Sequence, residues 1–127
     1  MCWSNYIAIP IVLKKPLRVY KVGIVNTSCS FISRYQNFRY YKSQIMSTVE
    51  INPEFERIGY FGELLNYDCF FIYKGYHSYL TKEIAKHKSY GCSVGVFEIP
   101  VDATIYVNYK RREVVSTDIR YLGLLEE

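Results

Sequence analysis

The spacing of apolar residues changes abruptly near the middle of the chain, where a strand-like pattern gives way to a helix-like one. Residues 69–73 form an unbroken apolar run, which is typical of a buried strand, and Gly75 interrupts it. Residues 80–88 then repeat apolar positions with the period of a helix. Ser78 or Thr81 can cap its start, and Gly91 suits a left-handed end. We therefore predict a strand, a turn and one short helix in this segment.

Apolar and polar positions alternate before this segment, which favours strands. Four such strands are predicted, at residues 17–25, 29–34, 38–42 and 44–51. Pro10 cannot donate a hydrogen bond to a neighbouring strand, so residues 1–16 are predicted to be an edge strand or an extended arm. Gly59 and Gly62 break any long helix in residues 54–66, which we expect to form a connector with a single helical turn.

Alternation returns after the helix and defines the rest of the fold. Residues 92–99 predict another strand, and residues 103–109 and 113–122 predict a hairpin, or a hairpin followed by a final edge strand. Strand residues outnumber helix residues several-fold in this reading. The predicted fold class is therefore α+β, a mainly antiparallel sheet with one short helix in a single compact domain of residues 1–127.

Tyrosine is the outstanding feature of the composition, with 14 of the 127 residues. Tyrosine favours half-buried strand faces, where its ring packs and its hydroxyl reaches water. The same residues could form a recognition surface. An AT-rich genome, whose codons favour tyrosine, explains the high number of tyrosines equally well. The net charge of +4 is spread over isolated lysines and arginines, so it indicates only weak attraction to polyanions.

The four cysteines lie far apart in the sequence, without the paired spacing of a zinc site, so no metal is expected. No N-terminal segment has the pattern of a signal peptide, and no apolar run reaches the length of a membrane span. A cytoplasmic protein with reduced thiols and no membrane contact is expected. The oligomeric state stays open, because a sheet with proline-marked edges can exist alone or pair edge to edge.

His77 is the first candidate catalytic residue. It lies at the joint between the predicted strand and helix, where backbone N–H groups can face an anion and a neutral imidazole can act as a base. The alternative is a histidine that packs between Tyr76 and Tyr79 and only satisfies loop carbonyls.

Glu98 is the second candidate catalytic residue, because it is a carboxylate within an otherwise apolar strand. If its face of the strand is buried, its pKa rises and a functional role follows. If that face meets solvent, Glu98 is an ordinary strand residue, and the alternation does not say which face is inside.

A further pattern interleaves Arg34, Arg39 and Lys42 with aromatic residues. Such a pattern occurs in binders of single-stranded nucleic acid, and it also occurs in any amphipathic strand.

Four short motifs occur in an order that resembles a group of small uncharacterised proteins from phages and gut bacteria of the Bacteroides type. Those proteins carry a YK strand, a GFHSF-like joint, an IP…Y strand and a terminal VS strand. The matching segments here are residues 19–22 (VYKV), 75–79 (GYHSY), 98–106 (EIPVDATIY) and 115–119 (VSTDI). The resemblance implies a phage or mobile-element origin, with the host cytosol as location, more than it implies a chemistry.

A more distant similarity is to the NAD-binding split sheet of ADP-ribosyltransferases, which carry functional residues on two core strands and a late glutamate. The corresponding order here is Tyr20 and Lys21, then His77, then Glu98 or Glu113. The similarity implies NAD or another nucleotide as the ligand, with His77 and Glu98 as catalytic residues. The implied ligand-binding residues are Tyr20, Lys21, Tyr76, Ser78 and Tyr79. Without this similarity no cofactor is expected.

Two functions follow as expectations. The first is an accessory protein of a phage or mobile element that binds a host or phage macromolecule, either a protein or a nucleic acid, through a tyrosine-rich surface. The second is a nucleotide- or NAD-binding enzyme or sensor. The enzyme requires His77 and a carboxylate in one concave pocket, whereas the binding protein requires a contiguous exposed aromatic patch.

Overall fold

The computed structural model describes residues 2–3, 9–27, 30–34, 38–48, 51, 54–59, 66–71 and 75–126. These residues form thirteen strands and one helix. The elements are β1 (Cys2–Trp3), β2 (Ile11–Val12), β3 (Leu17–Thr27), β4 (Ser30–Ser33), β5 (Arg39–Tyr41), β6 (Ile45–Ser47), β7 (Glu54–Gly59), β8 (Asn66–Phe71), β9 (Tyr76–Tyr79), α1 (Lys82–His87), β10 (Ser93–Ile99), β11 (Thr104–Asn108), β12 (Glu113–Ser116) and β13 (Asp118–Leu124). The prediction of a mainly antiparallel α+β domain with one short helix is confirmed.

Most strands belong to one antiparallel sheet with the order β2-β11-β12-β9-β3-β10-β13-β6, from which β4 and β5 branch at β3. Strands β1, β8 and β7 form a separate three-stranded sheet. Alternation of buried and exposed residues specifies the central strands: Gly95, Phe97 and Ile99 of β10 are buried, and the residues between them are half-buried.

The second half of β3 leads into a small closed structure. β3 pairs with β10 along one edge and with β4 along the other, and β4 pairs with β5. The next residue after β5, Lys42, forms a parallel bridge to Tyr121 of β13, and β13 pairs with β10. Strands β3, β4, β5, β13 and β10 therefore surround a common interior, and we call them the small barrel.

Four aromatic side chains fill the small barrel. The ring of Phe97 lies 5.0 Å from those of Tyr40 and Tyr121 and 5.5 Å from that of Phe31, measured between centroids. All four residues are at most 2% exposed. Edge-to-face and tilted contacts of this kind add to the free energy gained from burying the rings. These rings form the centre of the apolar core.

Two glycines line the small barrel because the ring of Phe31 leaves no room for a side chain. A Cβ atom on Gly23 would run into the carbonyl oxygen of Ile32 and lie 2.8 Å from the Phe31 ring. A Cβ atom on Gly95 would lie 2.8 Å from the Phe97 ring and 3.0 Å from the Phe31 ring. Both positions therefore require glycine for close packing.

Helix α1 is shorter than the predicted range of residues 80–88, but its ends follow the predicted signals. Of the two proposed caps, Thr81 is the one that acts: its hydroxyl accepts a hydrogen bond from the Ile84 N–H at 3.3 Å. Gly91, beyond the helix, has the positive φ of 86° that was expected. Ala85 is fully buried and packs the helix against the sheet.

Two predictions of local structure were wrong. Residues 76–79 form strand β9 instead of a lead into the helix, because they pair with β12 along their whole length. Residues 54–59 form strand β7 instead of a connector, because Gly59 lies at the end of the strand, paired with Asn66, and does not interrupt it.

Two strand predictions changed in extent or position. Of the strand expected at 44–51, the structure shows Ile45–Ser47 as β6; residues 44, 48 and 51 are not in a strand, and residues 49–50 lie outside the described residues. The final strand β13 is not at an edge, since β10 and β6 flank it. β2 belongs to the N-terminal segment that was predicted to be an edge strand or an extended arm; it lies at one end of the strand order, and β11 is the neighbour that the described residues supply.

Candidate functional site

Strand β3 has two different neighbours along one edge, and a cavity lies where they separate. β9 meets β3 at Tyr20, and β4 pairs with it from Gly23 onward. The cavity has a volume of about 160 Å³. Its lining comes from β3, from the end of β4 and from β9, and consists of Lys21, Val22, Ser33, Arg34, His77, Ser78 and Tyr79.

Lys21 is a buried cation in this lining, with 2% of its surface exposed. Its ammonium donates a hydrogen bond to the backbone oxygen of His77. On the side of the small barrel, Nζ lies 5.1 Å from the ring centroid of Tyr40 and 5.9 Å from that of Phe97. No carboxylate among the described residues forms an ion pair with it, and burial lowers its pKa to about 7.

Ser78 lies beside Lys21 on the same face of the sheet. Tyr20 and Tyr79 are in register, so the adjacent positions Lys21 and Ser78 both point to the opposite face. Ser78 is 3% exposed, and its hydroxyl has no hydrogen-bond partner within the described part of the chain. A buried hydroxyl in that state costs stability, and it is available to a bound molecule.

Arg34 supplies a second, exposed cation at the cavity. Its guanidinium donates to the backbone oxygens of Lys88 at 2.8 Å and Ser89 at 3.2 Å, just beyond α1. It also lies 5.3 Å from the ring centroid of Tyr90, which is 75% exposed. Arg34 therefore joins the cavity, the C-terminal end of the helix and an exposed aromatic ring.

His77 lies at the cavity, but Glu98 does not. His77 is 4% exposed and pairs with Val115 of β12. Glu98 is half-buried on β10, in register with Arg18 of β3 on one side and Arg120 of β13 on the other. β3 lies between β9 and β10, so the structure does not bring these two candidate residues together.

Glu113, the alternative carboxylate, lies closer to the candidate site. It is 5% exposed on β12, in register with Tyr79 of β9. Burial raises the pKa of Glu113, and the charges of Arg111 and Lys88 partly oppose that shift. The Nε of Arg111 lies 3.7 Å from one carboxylate oxygen. The pKa of Tyr79 is raised as well, first by burial and then by the charge of Glu113.

The other residues predicted to bind a ligand have different positions. Lys21, Ser78 and Tyr79 line the cavity, whereas Tyr20 lies beside it, in register with Tyr79. Tyr76 is buried, with its ring 6.1 Å from that of Tyr40, and packs in the core. Whether any of them binds a ligand stays a prediction.

Sequence reasoning did not assign Ser33 and Arg34 to a site with His77. Arg34 was noted only for its place among aromatic residues. Its position at the cavity depends on β4 and β9 meeting the same edge of β3, which is a long-range pairing that no local pattern indicates.

The chain matches no protein-family model, no curated protein and no solved structure. In the described ranges, no three His, Cys, Asp or Glu side chains are grouped in a way that could hold a metal ion. The helix found in these ranges is too short to cross a membrane. Cys92 is a half-buried free thiol, and the side chains of Cys2, Cys29 and Cys69 lie outside the described residues.

Proposed function

We propose that the protein binds a small anionic ligand, with a phosphate or carboxylate group, in the cavity between β3, β4 and β9. The observation that carries this proposal is the charge of the lining: Arg34 is a cation, Lys21 becomes one when it is protonated, and no carboxylate is among the lining residues that the structure describes. The hydroxyl group of Ser78 adds a possible hydrogen-bond donor. Cations and donors around a partly buried cavity favour an anion.

The size of the cavity limits the ligand. Its volume of about 160 Å³ is below the roughly 300–1,000 Å³ of clefts that enclose drug-sized ligands. A phosphate group or a small acid fits such a volume, whereas a dinucleotide such as NAD would extend well outside it. The exposed ring of Tyr90, next to Arg34, offers a stacking surface for the base of a nucleotide whose phosphate enters the cavity.

A binding or sensing role is favoured over catalysis. An enzyme of the kind considered above requires His77 and a carboxylate in one pocket, and neither Glu98 nor Glu113 is among the lining residues. Glu113 lies one strand away from the cavity, in register with Tyr79. The ligand-binding part of the nucleotide hypothesis is therefore proposed, and catalysis by His77 with Glu98 is not.

Thermal unfolding with and without candidate anions tests the proposal, because a ligand that binds only the folded chain raises Tm. The panel contains inorganic phosphate, AMP, ATP, NAD and ADP-ribose for the phosphate group, and lactate for the carboxylate group. The variant is Ser78→Ala, and the matched control is Ser116→Ala. Ser116 is also buried with no described partner for its hydroxyl and lies on the same face, but it does not line the cavity.

We expect at least one anion to raise the Tm of the wild type and of Ser116→Ala, and to raise that of Ser78→Ala much less. A cooperative melting transition that no anion shifts would reject the proposal. An equal shift in all three proteins would place the ligand at another site.

A second candidate function, binding of a partner macromolecule, is favoured by the exposure of two tyrosines. Tyr90 and Tyr109 are 75% and 71% exposed, and Tyr109 precedes the exposed basic residues 110–112. Exposed rings next to cations are typical of recognition surfaces. Fewer tyrosines are exposed than the composition suggested, because several are buried: Tyr40, Tyr76, Tyr106 and Tyr121.

This second function, the accessory role expected for a phage or mobile-element protein, has its own test. The double variant Tyr90→Ser/Tyr109→Ser is compared with Tyr41→Ser, which changes a 49% exposed tyrosine on β5. Immobilised proteins are exposed to bacterial extracts. A partner retained by the wild type and by Tyr41→Ser, but lost from the double variant, supports the candidate. Identical retention by all three contradicts it.

A further inference from the structure

Lys21 is a buried amine at the cavity. It lines the cavity, it is 2% exposed, and it is surrounded by a backbone carbonyl and two aromatic rings and has no described anionic partner. With its pKa lowered to about 7, close to half of its amine is neutral at neutral pH. An ordinary lysine, with a pKa of about 10.4, is neutral in less than about one molecule in a thousand at that pH. Desolvation of this kind activates amines towards carbonyl compounds.

We infer that Lys21 condenses with the carbonyl group of a small oxo acid bound in the cavity and forms an imine. This inference rests on the proposed function, since the acid group of the ligand occupies the anion site. Arg34 binds that acid group, and the hydroxyl of Ser78, on the same face as Lys21, is available to the carbonyl oxygen.

The step is a condensation and requires no oxidant or reductant. The lone pair of Nζ forms a bond to the carbonyl carbon, and the carbonyl oxygen takes up a proton that the nitrogen loses. The carbon–oxygen bond of this intermediate then breaks, the oxygen leaves as water with the second proton, and a carbon–nitrogen double bond remains. One amine and one carbonyl compound thus give one imine and one water molecule. The apolar surroundings of Nζ limit the access of water that would reverse the reaction.

The cavity volume selects the class of carbonyl compound. About 160 Å³ accommodates an oxo acid of a few carbon atoms, in which the acid group and the carbonyl are close together. The acid can be a carboxylate or a phosphate, and both chemistries suit Arg34. Suitable probes are glyoxylate and pyruvate for the carboxylate, and glycolaldehyde phosphate for the phosphate.

Reductive trapping on the intact wild-type chain tests the inference. The protein is incubated with each probe and cyanoborohydride, which converts an imine into a stable secondary amine, and the modified lysine is located by peptide mass spectrometry. Exposed Lys15 provides the background rate within the same molecule. We expect Lys21 to be modified at least about tenfold faster than Lys15 at pH 7, because of the difference in neutral amine.

A second arm separates this inference from the proposed function. Lactate and inorganic phosphate carry the acid group without a reactive carbonyl, so they should raise Tm and slow the modification of Lys21, but not of Lys15. If they raise Tm while no probe modifies Lys21 faster than Lys15, the anion site stands and the imine is rejected. If Lys21 is modified rapidly but neither acid slows the reaction, the lysine is reactive without the anion site, and both proposals fail as stated. The experiment uses only the wild-type protein, so a folding defect in a variant cannot affect the result.

Discussion

The small barrel and the neighbouring strands β9, β12 and β11 are parts of one sheet, but they differ in what dominates their buried side chains. The small barrel encloses four aromatic rings in mutual contact. The other three strands, which we call the polar extension, bury side-chain atoms of Ser78, Asn108, Glu113 and Ser116 that have no hydrogen-bond partner in the described part of the chain. In the described ranges, the strands of the small barrel carry two such atoms, in Tyr40 and Arg120.

Buried rings and buried polar atoms without partners have opposite effects on stability. Contacts between buried rings stabilise a fold, whereas a buried polar atom without a partner destabilises it by about 1–3 kcal/mol. Native proteins hold few such atoms, and they concentrate where a ligand or a reaction needs them. The candidate cavity lies between the two regions, and Lys21 contacts both: its ammonium lies near the barrel rings and donates to the carbonyl of His77 in β9.

Removing a ring from the small barrel should have the largest effect. Phe97→Ala is expected to lower the free energy of unfolding by about 3–5 kcal/mol, because it deletes a fully buried ring and leaves a cavity. Urea unfolding followed by circular dichroism measures the loss. Phe38→Ala is the matched control, since Phe38 is 38% exposed and should cost much less. Equal losses would show that the barrel does not dominate stability.

The second prediction concerns the charge at the junction. Below a pH of about 7, Lys21 is protonated in both the folded and unfolded chain, and the folded state carries the full cost of the buried charge. Above pH 7 the folded state releases the proton, while the unfolded state keeps it up to about pH 10.4. The free energy of unfolding should therefore rise between pH 7 and 9, by about 1 kcal/mol per pH unit.

Lys21→Met should remove this rise, because methionine has no proton to release. Lys15→Met, at an exposed position, should leave it unchanged. Urea unfolding at a series of pH values measures the slope for the three proteins. If the free energy of unfolding of Lys21→Met still rises between pH 7 and 9, groups other than Lys21 cause the rise.

The third prediction tests how tightly the barrel wall is packed. Gly23→Ala should lower the free energy of unfolding by about 1–3 kcal/mol, since the new Cβ meets the fixed carbonyl of Ile32 and the Phe31 ring. Gly95→Ala should cost less, because its Cβ meets only rings, which can shift. Thermal unfolding of the two variants gives the ranking, and the opposite ranking would contradict the close approach of β4 to β3.

The smallest loss of stability is expected in the polar extension. Ser116→Ala should lower the free energy of unfolding by no more than about 0.5 kcal/mol and can raise it by about 1–3 kcal/mol, because it removes a buried hydroxyl that has no described partner. Thr81→Ala removes a hydroxyl that caps α1 and should cost about 1 kcal/mol. Differential scanning calorimetry of both variants makes the comparison. A larger loss for Ser116→Ala would mean that its hydroxyl contributes to the fold.

Local patterns were sufficient for much of the fold. The alternation in β3 and β10 and the cap at Thr81 are properties of consecutive residues, and the structure confirms them. Strand β9 was missed because it is only four residues long and three of them are buried, so it shows no alternation. Strand β7 was missed because Gly59 and Gly62 were interpreted only as helix breakers, whereas Gly59 is the last residue of a strand.

The candidate site was less accessible to sequence reasoning. The similarity to ADP-ribosyltransferases implied Lys21, Ser78 and Tyr79 as site residues, and these line the cavity. It also implied Glu98, which does not line the cavity. The alternation in β3 does indicate that Lys21 is buried, because Lys21 is two residues from the apolar Val19 and shares its strand face. Val19 is fully buried in the structure. The contribution of Arg34 depends on which strands meet at one edge of β3, and pairing between distant segments cannot be read from either segment alone.

The closure of the small barrel also limits how early its interior can form during folding. Its rings come from positions 31, 40, 97 and 121, so the interior cannot form until segments from both halves of the sequence have met. Domains dominated by such distant pairings fold in about milliseconds to seconds, far more slowly than helical bundles. On a ribosome, β3, β4 and β5 would be synthesised long before β10 and β13, and their apolar faces would stay uncovered during that interval.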